Sequence, residues 1–161
     1  MKSLKTLVMA VVLFVGFATV AHAQTANQAV TIVVSPINVM SVSSGTVSMT
    51  INSATAGSNP DNASDAATSY AVTTNGTLKK ITAALGTAYA GGISLALSLT
   101  APTGGNSAGS VTLTTVAQDL VTGFANLAES GKGISYTASA TAAAATNGAG
   151  EAQTVTLTLT N

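Results

Sequence analysis

The chain lacks the residue types on which most enzymes and metalloproteins depend. Its 161 residues include no cysteine, no tryptophan and no arginine, and its one histidine is His22. The lack of cysteine excludes disulfides and thiolate nucleophiles. With histidine absent after residue 22, the imidazole base and the usual zinc, copper and haem ligands are missing too. We therefore predict a protein that is not an enzyme, with no catalytic, cofactor-binding or metal-binding residues.

Charge is also scarce, since charged residues make up only 6% of the chain. After residue 23 the only cations are Lys79, Lys80 and Lys132, against five acidic residues, which gives a net charge of −2. Binding to nucleic acid through its phosphates needs a cluster of basic residues, so nucleic acid is not an expected partner. We place Lys79 and Lys80 on a solvated strand edge, where lysine deters edge-to-edge pairing.

The first 23 residues have the three parts of a secretory signal peptide. Lys2 and Lys5 precede an apolar run over residues 7–20, and Ala21-His22-Ala23 is a small-x-small cleavage site. The alternative is a retained membrane anchor, but the apolar run is shorter than the roughly 20 residues that span a bilayer. We expect a secreted, periplasmic or cell-surface protein with a single domain over residues 24–161 and no membrane span after cleavage.

Serine, threonine and alanine dominate the chain after residue 23. Removal of 23 residues from 161 leaves 138, of which 40 are serine or threonine and 26 are alanine. Disorder is favoured by low hydrophobicity with high net charge, and neither applies here. Threonine and valine suit the pleated surface of a sheet, so the composition predicts an all-β domain.

The clearest alternation in the sequence lies in the C-terminal stretch, residues 133–160, and the predicted fold is built around it. Val155, Leu157 and Leu159 alternate with threonines, and residues 134–141 alternate in the same way. Strand side chains point to opposite faces with period two, so each run has one apolar face. Asn-Gly at 147–148 is a turn signal, and we predict that the two runs pair as an antiparallel hairpin.

Further strands are predicted upstream by alternation and by turn residues between the runs. Asn75-Gly76 is the best type I′ turn signal. Residues 116–129 fit either a helix or a short strand at 119–124 followed by a turn. The remaining predicted strands cover 29–34, 37–42, 46–51, 68–74, 77–85, 93–99 and 110–115.

Eight or nine short strands with turn signals every 8–12 residues predict an antiparallel, immunoglobulin-like β-sandwich. A closed barrel is the alternative architecture. Within the sandwich, Leu97 lies at the centre of the most regular strand and is expected to be buried by both sheets.

Three groups of residues are candidates for a binding site. The loop over residues 58–65 holds four potential calcium ligands, but loops rich in Asn and Asp are more commonly turns. The candidates for catalysis are the five carboxylates, of which a pair could hydrolyse a glycoside, and they are predicted in loops or at element ends: Asp61, Asp65, Asp119, Glu129 and Glu151. A small-ligand or carbohydrate-binding module would need an exposed aromatic cluster, and the tyrosines available for one are Tyr70, Tyr89 and Tyr136.

The N-terminal run at residues 29–34 allows two interpretations. It is very apolar and lies between a polar leader, residues 24–28, and a break at Ser35-Pro36. It is either the first strand of its own sandwich or a strand that pairs with a neighbouring copy, since strand addition to an exposed edge is a general mode of association. We therefore expect as partners other copies of the chain, bound through this strand, or other cell-surface proteins.

Several of these features together resemble a known group of proteins. The signal peptide, the TIVVSPI stretch, the cysteine-free threonine-rich strands and the closing YTASAT and QTVTLTLT segments are similar to those of secreted bacterial β-sandwich proteins. The nearest groups are cysteine-lacking fimbrial, pilin-like subunits and related surface-attached sandwich domains. The resemblance implies a structural role in assembly or adhesion, and it transfers no site residues.

Overall fold

The computed structural model describes residues 24–161, so the predicted signal peptide lies outside the described residues. The chain divides into two units, residues 1–33 and residues 34–161. The second unit contains nine strands: β1 Asn38–Val42, β2 Ala63–Thr74, β3 Lys79–Leu85, β4 Ile93–Leu99, β5 Asn106–Ser107, β6 Val111–Thr112, β7 Gln118–Phe124, β8 Leu127–Ala140 and β9 Val155–Thr160.

The strands form two antiparallel sheets, which confirms the all-β prediction. One sheet has the order β1-β2-β8-β4-β6 and the other β5-β7-β3-β9. Side chains from both sheets meet in a single hydrophobic cluster, with Tyr70 and Leu97 from the first sheet and Ile81 and Phe124 from the second. Two sheets that bury their apolar faces against each other make a β-sandwich rather than a closed barrel. Over residues 24–161 the structure contains no helix that is long and apolar enough to cross a membrane.

Strand β4 has the predicted bounds and the predicted inward face. Leu95, Leu97 and Leu99 are buried, whereas the serines and the alanine between them are only partly buried. Period-two alternation of this kind places every second side chain on the core face. The prediction that Leu97 lies in the core is therefore confirmed.

The predicted C-terminal hairpin is wrong. β8 lies between β2 and β4 in the five-stranded sheet, whereas β9 pairs with β3 in the other sheet. The connection over residues 141–154 is long enough to cross between two sheets that pack about 10 Å apart. Both strands direct their apolar faces to the same core, but from opposite sides of it.

The turn at Asn75-Gly76 also differs from its prediction. A type I′ turn needs positive φ at both central residues, but the residue with positive φ in this connection is Leu78, at 52°. Asn75 instead ties the chain to the start of β1, because its side chain accepts from the Ile37 N–H at 2.8 Å and donates to the Ser35 carbonyl. β2 and β3 lie in different sheets and do not form a hairpin.

The ambiguous stretch at residues 116–129 contains strand β7 and the start of β8, so the strand alternative is confirmed. Leu120, Val121 and Phe124 are fully buried. Gly123 has φ of 82°, a conformation that glycine adopts at little cost and that a helix does not contain. The near-helical spacing of the apolar residues therefore reflects a strand with an irregular register against β3.

Two predicted strands lie outside both sheets. Residues 29–34 have no strand assignment, and neither do residues 46–51, although Val47, Met49 and Ile51 alternate as half-buried with exposed neighbours. The predicted strand at 110–115 shortens to β6, Val111–Thr112. The position of Lys79 and Lys80 is a further correction, since β3 has neighbours on both sides and Lys79 is buried.

Candidate functional site

The five carboxylates are dispersed, and each accepts a hydrogen bond or forms an ion pair. As predicted, they lie in loops or within the first three residues of a strand. No group of three or more acidic or histidine side chains that could hold a metal ion occurs in the described part of the chain. Their partners are the Ser53 hydroxyl for Asp61, the Ala67 N–H for Asp65, Lys80 for Asp119, Lys132 and the Thr103 N–H for Glu129, and the Ala90 N–H for Glu151.

Glu129 is the most strongly perturbed of these groups. Its carboxylate lies 2.6 Å from the Lys132 ammonium and accepts the Thr103 N–H at 3.1 Å. Hydrogen bonding to Lys132 and then to Thr103 lowers the pKa of Glu129 to about 2. Because these partners stabilise the ionised carboxylate, we interpret the cluster as a structural contact between β8 and the loop after β4 rather than as an acid–base centre.

Residues 58–65, predicted as a loop, end in the first three residues of β2, and their polar side chains bond to other parts of the chain. Asn59 accepts a hydrogen bond from the Ala142 N–H, 83 residues away, at 3.0 Å. Asp61 is bound to Ser53 both through its side chain and through its backbone N–H. Oxygens that accept such bonds serve as turn and loop anchors, which favours the turn interpretation of this loop over the calcium interpretation.

The three tyrosines do not form an exposed platform. Tyr70 is fully buried, its hydroxyl donates to the Thr100 carbonyl at 2.7 Å, and burial raises its pKa to about 12. Tyr89 and Tyr136 are half-buried and pack against the core cluster. Stacking of a sugar needs an aromatic face open to solvent. The burial of Tyr70 removes that residue from the aromatic cluster that a carbohydrate-binding module would need.

The most unusual surface of the described chain is the N-terminal arm, residues 29–34. Its large apolar side chains are in solvent, with exposed fractions of 74% for Val30, 82% for Ile32, 82% for Val33 and 72% for Val34. Residues with such β-propensity and no charge normally pair in a sheet. Contiguous exposed apolar side chains mark association sites or aggregation liabilities. The sequence predicts a strand for this segment, either in its own sheet or paired with a neighbouring copy, and the structure assigns no strand to these residues.

A second surface was missed by the sequence prediction. Strand β9 has β3 as its one neighbour in the sheets of residues 34–161, so its other edge carries unpaired backbone groups. The predicted hairpin would have covered that edge with β8. The length of the linker over residues 141–154 was the available signal, because a two-residue hairpin turn needs no such linker.

No family model, no curated protein and no solved structure matches the chain. The class that the fold defines is therefore an all-β protein of two antiparallel sheets. The arm and the β9 edge are two separate candidate interaction surfaces.

Proposed function

We propose that this protein is a non-enzymatic structural or adhesive subunit of a bacterial surface, exported by the signal peptide over residues 1–23. In this proposal the two sheets are a variant of the immunoglobulin-like sandwich, and the arm at residues 29–34 joins one copy to another. The signal-peptide pattern of residues 1–23, the low charge and the dispersal of the carboxylates support the proposal. The exposed arm is the observation that carries it.

The arm carries the proposal because its exposure is unfavourable for an isolated chain. Burial of a Val or Ile side chain contributes about 1.5–3 kcal/mol relative to exposure. Val30, Ile32 and Val34 share one face of an extended strand, and Thr31 and Val33 lie on the other. A neighbouring copy that covered the first face would bury three large apolar side chains. The free energy gained exceeds the entropy cost of ordering six residues only when the backbone of the segment is hydrogen-bonded as well.

Sizing of the exported protein over a wide concentration range tests this function. We expect the mean mass to rise with concentration, and a strict monomer at every concentration would overturn the proposal. Val34→Ser and Val33→Ser are a matched pair, since they change adjacent valines that lie on opposite faces. We expect Val34→Ser to weaken association about tenfold or more, and Val33→Ser to leave it close to the parent value.

A further inference from the structure

The hydrogen bonds around Gly86 define which backbone groups of β9 are unpaired. The Gly86 N–H donates to the Thr154 carbonyl at 2.8 Å, whereas the N–H of the preceding Leu85 donates away from β9. In an antiparallel ladder every second residue bonds to a given neighbour, so the threonines of β9 bond to β3. The backbone groups that point to the open edge therefore belong to the three apolar residues of the strand, Val155, Leu157 and Leu159.

The open edge of β9 is unprotected. Natural sheets keep their edges apart by short edge strands, proline, charged side chains or bulges. β5 and β6, the edge strands on the opposite side of the two sheets, have two residues each. β9 has six residues without a charge or a proline, and its register against β3 has no shift. An edge of this kind is a template for pairing with another chain.

The inner side chains of β9 are incompletely covered. All three apolar residues pack against the hydrophobic core but are only half-buried. Their partners in the register of β3 are buried: Leu85, Ala83 and Ile81. The difference arises because β3 has a strand on each side, whereas β9 has one neighbour in the sheets of residues 34–161. A strand that fits this edge must therefore bring apolar side chains to the inner face at every second position.

We propose that the open edge of β9 binds the same edge of a second copy, as an antiparallel pair with a twofold axis through Leu157. Residues 154–160 read TVTLTLT, a pattern that is symmetric about Leu157 and carries no charge. A twofold axis pairs the strand with its own sequence, so a neutral strand avoids the like-charge repulsion that a charged one would meet. The axis sets Leu157 opposite itself and Val155 opposite Leu159. Each inward position then pairs an apolar side chain with another apolar side chain.

The position of the axis follows from the backbone groups that are free. Only the apolar residues of β9 direct these groups outward, so apolar positions must face apolar positions across the axis. An axis at Leu157 pairs all three of them. An axis at either neighbouring threonine would set an apolar residue opposite a polar one: Leu159 opposite Gln153, or Val155 opposite Asn161. The axis at Leu157 therefore buries the most apolar surface.

The same side of the sandwich carries the open edge of the other sheet. β1 contacts β9 across the interior, and its inward-facing Val42 is 45% exposed. Because the axis is perpendicular to the extended sheet, the β1 edges of the two copies face each other across it. The contact is isologous, since both copies use the same surface, and it does not depend on the arm at residues 29–34.

Disulfide trapping tests the contact and its register, and the absence of cysteine makes every introduced pair unambiguous. The proposed axis sets Thr156 of one copy opposite Thr158 of the other, both exposed on the outer face. Opposed residues that are not hydrogen-bonded have Cα atoms about 4.5 Å apart, which a disulfide can bridge. We expect a mixture of Thr156→Cys and Thr158→Cys chains to give a 156–158 linked dimer under mild oxidation, in about tenfold greater yield than the linked dimer of either variant alone. Val34→Ser is added to every chain, so that association through the arm does not supply the encounter.

Each other result of the trapping overturns the inference. In the proposed register the cysteines of one variant alone lie diagonally across the axis, about 7–8 Å apart, and link poorly. A 156–156 or a 158–158 link in greater yield than the mixed link would place the axis elsewhere. No link in the mixture would remove β9 as the contact.

Two double variants test the same contact without oxidation. Thr156→Lys with Thr158→Lys sets two positive charges opposite each other on both sides of the axis, whereas Thr156→Lys with Thr158→Glu sets opposite charges there. Both sites are exposed, so both variants keep the inner face of β9. We expect the first variant to dimerise about tenfold more weakly than the second in sedimentation experiments. Equal dissociation constants, or tighter dimerisation of the first variant, would overturn the inference and leave the arm and the proposed function untouched.

Discussion

Replacement of Leu97 by alanine tests the hydrophobic core between the two sheets. Leu97 is fully buried at the centre of β4, directly opposite Tyr136 of β8 and Val111 of β6. The lost transfer free energy and the cavity left by a Leu→Ala change together cost about 2–5 kcal/mol in protein cores. Since neighbours on both sides limit collapse of the site, we expect about 3–4 kcal/mol, within that range.

Urea unfolding of the two proteins measures this cost, provided that the slope with denaturant is unchanged. Leu78→Ala is the matched control, because Leu78 is 78% exposed and its truncation should change the unfolding free energy by about 0.5 kcal/mol or less. A cost below about 0.5 kcal/mol for Leu97→Ala would mean that the inner and outer faces of β4 are exchanged, which is a register error of one residue.

Three further predictions concern the polar groups. Because its partners depress the pKa of Glu129 to about 2, this residue should stabilise the fold above the ordinary glutamate pKa of 4.5, with the contribution lost as pH falls toward 2. Thermal melts of the parent and of Glu129→Gln should therefore converge over that window, and a constant difference down to pH 2 would contradict the assignment. Tyr70→Phe should cost about 0.5–1.5 kcal/mol, because it removes the hydrogen bond that the Tyr70 hydroxyl donates to the Thr100 carbonyl. Since burial raises the Tyr70 pKa to about 12, the parent should also lose stability between pH 10 and 12 through this residue, and Tyr70→Phe should lose less. Melting temperatures in calcium and in chelator should be equal. A rise of several degrees in calcium would indicate that residues 58–65 bind the ion.

The sequence predicts the strands of this protein better than it predicts their partners. Alternation in residues 93–99 and 155–160 assigns both the strand and its inner face, because period two is a local property of the backbone. The alternation is the same for a strand of either sheet. For that reason the sequence predicts one hairpin for β8 and β9, which are consecutive strands but lie in different sheets.

The incorrect prediction for Lys79 has the same cause, because it too depends on which strands are neighbours in the sheet. The sequence predicts Lys79 at a solvated edge, but β3 lies between β7 and β9. The Lys79 ammonium donates to the Asn161 side chain just beyond β9. That partner is 82 residues away in the sequence. The composition of residues 29–34 predicts a strand, whereas the edges that the two sheets leave open follow only from the strand order.

Hydrogen exchange of the arm as a function of protein concentration tests most directly whether residues 29–34 are an association element. The amides of Val30, Ile32 and Val34 should exchange rapidly in dilute protein and become protected as the protein associates, because in the assembly they pair with a neighbouring edge. Val33→Ser should retain this protection, and Val34→Ser should require higher concentrations to reach it. Protection that is already complete in dilute monomer, or that never develops while the protein associates, would contradict the account.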